Sequence, residues 1–184
     1  AYVRFGDWVG GIVSGDPGTS MVANMPVAEV IADRLPNTLR LAGLTAIFTV
    51  PLSLLIGISA AMNRGGRLDR VLSISTLAMV AMPEFLVATL GVLIFSVKLR
   101  LLPSITMVTT DQPWGEFLRS YTLPVLSLSV VVIAQMSRMT RAAVIDQLNQ
   151  PYVEMAILKG VGRVAIVRRH VLPNAIGPII NSMA

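Results

Sequence analysis

The stretch Leu41–Met62, LAGLTAIFTVPLSLLIGISAAM, runs for 22 residues without a charge. At about 1.5 Å per residue, a helix of that length reaches about 33 Å, enough to cross a hydrocarbon core of about 30 Å. Lipid offers a bare backbone no hydrogen-bond partner, so the stretch reads as a spanning helix. Two more follow. Val71–Val97 is 27 residues with one charge, Glu84. Ser120–Ser137 is 18 uncharged residues and extends past Arg138. Pro51, Pro83 and Pro124 are compatible with helices here, because neighbouring helices re-satisfy the freed backbone groups, and Pro83 is placed to kink the second span. Leu41–Met62 lies too deep in the chain for a signal peptide and lacks a cleavage pattern.

Composition agrees. Of 184 residues, 54% are hydrophobic and only 14% charged, with a mean hydropathy of +0.71. A soluble domain carries roughly 25% charged residues. Disorder needs low hydrophobicity, so it is excluded. There is no Cys, which removes disulfides and thiolate metal sites. The chain opens on Ala1 and its apolar end, Val171–Ala184, stops in mid-element, so a piece of a longer chain is expected.

Charge placement orients the spans. The 63–70 link carries Arg64, Arg67 and Arg70 against Asp69, and the region after the third span carries Arg138, Arg141, Lys159, Arg163, Arg168 and Arg169. The first 35 residues are net acidic, through Asp7, Asp16, Glu29 and Asp33. Lys and Arg concentrate on the cytoplasmic side. The N-terminal segment and the 98–119 loop therefore face outward, and 63–70 and the C-terminal region face the cytoplasm. Arg138 and Arg141 are expected to snorkel to that interface.

The remaining segments are shorter. Gly15-Asp16-Pro17-Gly18 is a turn. Val27, Val30, Ile31 and Leu35 after Pro26 predict a short amphipathic helix feeding the first span. Gly6, Gly10, Gly11 and Gly15 have small-residue spacing, but in a short charged stretch that is not read as a helix–helix face.

Residues 146–173 are the most informative. Asn149 or Gln150 is placed to cap a helix with Pro151 in its first turn, running Tyr152 to Lys159 with Glu154 near its positive end. Gly160 and Gly162 allow a change of direction. Arg163–Val171 forms a second short helix that Pro173 ends or bends. Such a helix–glycine–helix hook either docks in a partner's groove or lies on anionic lipid as a basic surface loop.

These residues resemble a cytoplasmic motif of importer permeases of ATP-binding-cassette transporters: Glu-Ala-Ala, three residues, Gly, nine residues, Ile, one residue, Leu-Pro. This chain has Glu154-Met155-Ala156, then Gly160, His170 and Leu172-Pro173 at the same spacing. Met155 and His170 depart from it. The His is itself typical of the dipeptide/oligopeptide/nickel branch, as are Tyr152, Lys159-Gly160, Arg169-His170 and Asn174-Ala175. Gly15-Asp16 with Gly18 and Ser20, Pro36 to Leu41, Pro83 with Phe85, Leu102-Pro103, and Arg138 to Arg141 also resemble that branch.

The resemblance implies an all-α membrane protein, part of a six-span permease fold, with three transmembrane helices and a cytoplasmic coupling hook. The layout expected is an extracytoplasmic segment over 1–36, a three-span region over 37–145, a coupling loop over 146–173 and the start of a further span over 174–184. It implies a B-type, multi-pass subunit of the bacterial inner membrane, importing dipeptides, oligopeptides, nickel chelates or a sugar. Its partners are a second permease, two ATP-binding subunits and an extracytoplasmic solute-binding protein, in the lipid bilayer, with no nucleic acid and no cofactor. The coupling residues it implies are Tyr152, Glu154, Ala156, Lys159, Gly160, His170, Leu172 and Pro173. On physical grounds, small Ala156 and Gly160 would present a face that a partner groove approaches closely.

Other chemistry is poorly supported. Gly160-Val161-Gly162-Arg163-Val164-Ala165 fits a dinucleotide pattern, but no acidic residue follows Glu154. The sequence has no Walker A motif, so it should not hydrolyse ATP itself. The one His, His170, is expected at the cytoplasmic face, away from the serines within the spans, which argues against an intramembrane hydrolase, and with no second His and no Cys a metal cluster is not expected. Glu84 either lines a transport path, where it could meet a substrate ammonium, or is neutralised or hydrogen-bonded within the bundle. The alternative from another class is a non-transport membrane scaffold.

Overall fold

The structure, a computed structural model, describes residues 2–22, 24–105 and 113–181. Every regular element named among them is helical. Two compact units emerge, residues 1–43 and 44–184, with their boundary inside one long helix.

The first unit opens on α1 (Tyr2–Val13). Tyr2, Phe5, Trp8, Val9 and Ile12 recur at helical spacing and are all exposed. This helix is not among the sequence-based expectations, because Gly6, Gly10, Gly11 and the charges obscure its period. The expected turn follows. Gly15 and Gly18 have φ of +88° and +84°, and the Gly18 N–H donates to Asp16 Oδ1 at 2.9 Å. Helix α2 (Val27–Met62) then runs 36 residues without interruption. The expected short helix and first span are thus one element, and no break falls at 36. Pro36 removes one N–H from the ladder but does not stop the helix.

In the second unit α2 meets α5 (Trp114–Leu148) across small residues. Thr45, Thr49, Ser53, Gly57 and Ala61 recur every four residues on α2 and are buried. A Cβ on Gly57 would lie 2.6 Å from the Ser137 carbonyl oxygen and 2.6 Å from Thr140 Cβ. The absence of that atom lets the backbones approach, which is how helices associate in lipid.

The second expected span is bent far more than a kink. Helix α3 (Arg67–Ala81) and helix α4 (Glu84–Gly91, continued by π-helical Val92–Lys98) meet at 94°. Met82 is extended, at φ −84° and ψ 128°, as the residue before a proline prefers. The pair nevertheless follows α5 along its length. Arg141 bonds Asp69 at one end, Gly91 lies beside Leu123, and Arg119 Nε donates to the Leu101 carbonyl at 2.7 Å at the other. Positions 119 and 141 are about 33 Å apart along a helix. The bent pair therefore counts as one broken span beside α2 and α5, the two helices long and apolar enough to cross alone. Residues 106–112 of the expected outward loop lie outside the described residues, and its last part already belongs to α5.

Arg141 does not snorkel. Its Nε donates to Asp69 Oδ1 at 2.6 Å and its Nη2 to Oδ2 at 2.8 Å. Asp69 also accepts the Gly65 N–H at 3.0 Å and the Ser73 hydroxyl at 3.3 Å. A guanidinium with a bidentate partner in reach has less reason to extend into solvent.

Candidate functional site

The hook is α6 (Pro151–Leu158) and α7 (Arg163–Ile166, continued by π-helical Val167–Val171), leading directly into α8 (Leu172–Asn181). Gln150 occupies the N-cap of α6 without a side-chain cap bond, and Pro151 sits in the first turn, where its lost N–H has no helical partner anyway. Asn149 instead closes α5.

The end of α6 shows why glycine stands at 160. Gly160 has φ +76°, and its N–H donates to the Ile157 carbonyl at 2.9 Å. The next N–H, of Val161, reaches the Ala156 carbonyl at 3.1 Å. This pair of bonds is the Schellman closure, which needs a left-handed residue at that position. A Cβ on Gly160 would meet nothing within 4 Å in this chain. The glycine therefore answers a backbone requirement, and the space beside it is open.

One apolar cluster ties the hook to the spans. Ala61 of α2, Val144 of α5, Val153 and Ala156 of α6, Ile166 and Val171 of α7, and Ala175 and Ile179 of α8 are buried together. Tyr152 and Leu172 pack against it half-buried, and the Tyr152 hydroxyl donates to Gln147 Oε1 at 2.8 Å. Ala156, only 8% exposed, faces this chain's own core. Its small size fits the close packing of α6 against that core.

The exposed side of α6 is different. Glu154, Met155, Ile157, Leu158, Lys159 and Gly160 are all exposed. Leu158 is 76% exposed and Met155 56%. These apolar residues are missing from the sequence-based site, although their positions around Ala156 carry the signal. His170 is exposed within the π-helical turn, where its carbonyl accepts Asn174 Nδ2 at 2.7 Å. Pro173 neither ends nor separates the helix. The wider π turn before it absorbs the lost backbone bond, and α8 continues. The eight residues thus divide into an internal group, Tyr152, Ala156 and Leu172, and an outer group, Glu154, Lys159, Gly160, His170 and Pro173.

Glu84 stands apart from the hook. It begins α4 at the bend and is exposed. A carboxylate in a first helical turn is favoured by the helix dipole, a role that an unbroken second span would not offer it.

Comparison with known proteins is consistent along the chain. A Brucella abortus (strain 2308) protein, named for a peptide transport system permease, is 35% identical over 180 residues, covering 97% of this chain and 57% of its own length. The glutathione transport system permease protein GsiC of Salmonella choleraesuis (strain SC-B67) is 35% identical over 182 residues, covering 99% of this chain. GsiC of Escherichia coli O6:H1 is 34% identical over 182 residues. The chain spans 57% of the length of each of these relatives. Residues 53–184, which contain the Gly57 contact, the broken span and the hook, match the family described as the binding-protein-dependent transport system inner membrane component, and the chain belongs to that family.

Proposed function

We propose that this chain is the membrane-spanning permease part of an ATP-driven importer of peptides or related solutes, and that its hook receives the stroke of a partner ATP-binding subunit. The observation that carries this reading is the shared apolar cluster. A hook packed in one core with the ends of α2, α5 and α8 cannot move without moving them. The exposed Met155, Leu158 and Lys159 supply the contact surface, and Glu154 is the one acidic group on it. Hydrolysis then belongs to the partners, and this subunit transmits it. A second permease, two ATP-binding subunits and an extracytoplasmic solute-binding protein complete the assembly. The substrate class follows the relatives, whose names specify peptide and glutathione transport. A non-transport scaffold is the weaker reading, because the family is one of transport-system components.

In this reading the hook and the 63–70 link face the cytoplasm. Glu84 is a candidate for the substrate path, because it is exposed at the break of a span. The hook is tested in the complete transporter by Gly160→Arg and Glu154→Lys. Both should insert normally but lose the ATP-binding subunits on purification, or keep them without substrate-stimulated hydrolysis. Full uptake and normal co-purification in both variants would overturn the assignment.

A further inference from the structure

A groove of about 450 Å³ lies between the hook and the ends of α2 and α5. Leu148, Val153, Val161 and Ile166 line it with apolar surface, and Arg64 and Arg163 complete its wall. Ile157, from the exposed side of α6, also lines it, whereas Met155 and Leu158 do not, and no carboxylate lines it. Among the described residues neither arginine has an ion-pair partner, in contrast to Arg141. On its α2 side the groove sits at the end of the charge-free run, with Ala61 beside Arg64, while Leu148 lies 11 residues beyond Ser137, where the uncharged run of α5 stops.

An apolar wall joined to two unpaired guanidinium groups is complementary to an anionic amphiphile. Water solvates the guanidinium groups well but the aliphatic wall badly. A neutral lipid satisfies only the wall. We propose that this groove is a binding site for an anionic phospholipid of the adjacent leaflet, with the phosphate held by Arg64 and Arg163 and the first part of an acyl chain lying on Leu148, Val153 and Ile166. Arginine suits the phosphate because its planar fork donates two parallel bonds. A volume of 450 Å³ is within the range of small-molecule sites and admits part of a lipid. Its consequence is to brace the hook against the helix ends while Met155 and Leu158 stay free.

The test uses the complete permease in detergent, without ATP-binding subunits, titrated with dioleoylphosphatidylglycerol or dioleoylphosphatidylcholine while thermal unfolding is followed. Phosphatidylglycerol should raise Tm well above the effect of phosphatidylcholine. Each basic residue near an anionic lipid contributes about a fivefold factor in affinity, so Arg64→Gln with Arg163→Gln should weaken the apparent phosphatidylglycerol affinity by about 30-fold. Arg64→Lys with Arg163→Lys should retain most of it. Arg67→Gln with Arg70→Gln, which removes equal charge from the neighbouring link outside the groove, should leave it within about twofold of the unmodified protein. Equal shifts from the two lipids would overturn the proposal. So would equal losses in both Gln pairs, which would mean diffuse surface charge, or no loss in either, which would mean that another part of the protein fills the groove.

Discussion

Three residues show how much a single position carries. Gly160 closes α6 with a left-handed backbone and has open space around it. Gly160→Asn should therefore keep the hook folded, since Asn tolerates that conformation, whereas Gly160→Val should destabilise it by about 1–2 kcal/mol. Hydrogen exchange across residues 151–161 reads the difference, and equal protection in both variants would contradict the backbone requirement. The Asp69–Arg141 pair is not legible in the sequence. The two residues lie 72 positions apart, and Arg141 resembles one more interfacial cation. A double-mutant cycle of Asp69→Asn and Arg141→Gln should return a coupling of about 2 kcal/mol, against near zero for two independent surface charges. Glu84 belongs to this scale as well. If it meets a cationic substrate group, Glu84→Gln lowers uptake and raises the apparent substrate constant with assembly retained. Unchanged kinetics would leave it only its place in the first turn of α4.

At the scale of elements, the apolar runs are easy to read in the sequence and their joints are not. Leu41–Met62 and Ser120–Ser137 announce α2 and α5, because a charge-free run as long as a bilayer is thick is seldom anything but a spanning helix. Their ends are harder to place where local signals are ambiguous. Pro36 has the look of a boundary and is absorbed, while Pro83 has the look of a kink and ends α3, with Met82 driven extended. The difference is one of surroundings, which no propensity encodes. Hook positions are legible from spacing, but the division between inner and outer faces is not: Ala156 and Gly160, one helical turn apart, serve packing and closure. Among helix contacts, Gly57 is the most exacting. Gly57→Val would drive a branched side chain into the Ser137 carbonyl and Thr140. A loss of about 1–3 kcal/mol is expected, seen as a lower Tm of the detergent-solubilised protein, with Gly115→Val, which meets open space, nearly neutral.

At the scale of the molecule, one apolar core joins a membrane bundle to a hook. The orientation rests on the arginine distribution and is checked with single Cys substitutions, since the native chain has none. Gly65→Cys should resist an impermeant thiol reagent applied outside intact cells, and Thr110→Cys should react; the reverse would invert the bundle. Coupling itself turns on what touches the outer face of the hook. A photo-crosslinking residue at Leu158, 76% exposed on α6, is compared with one at Phe85, 73% exposed at the bend of the broken span. In the complete transporter, Leu158 is expected to crosslink to the ATP-binding subunit, with a yield that changes when ATP is added, and Phe85 is not. Crosslinking of Leu158 to lipid alone, with the ATP-binding subunit captured from neither position, would contradict the coupling role of the hook.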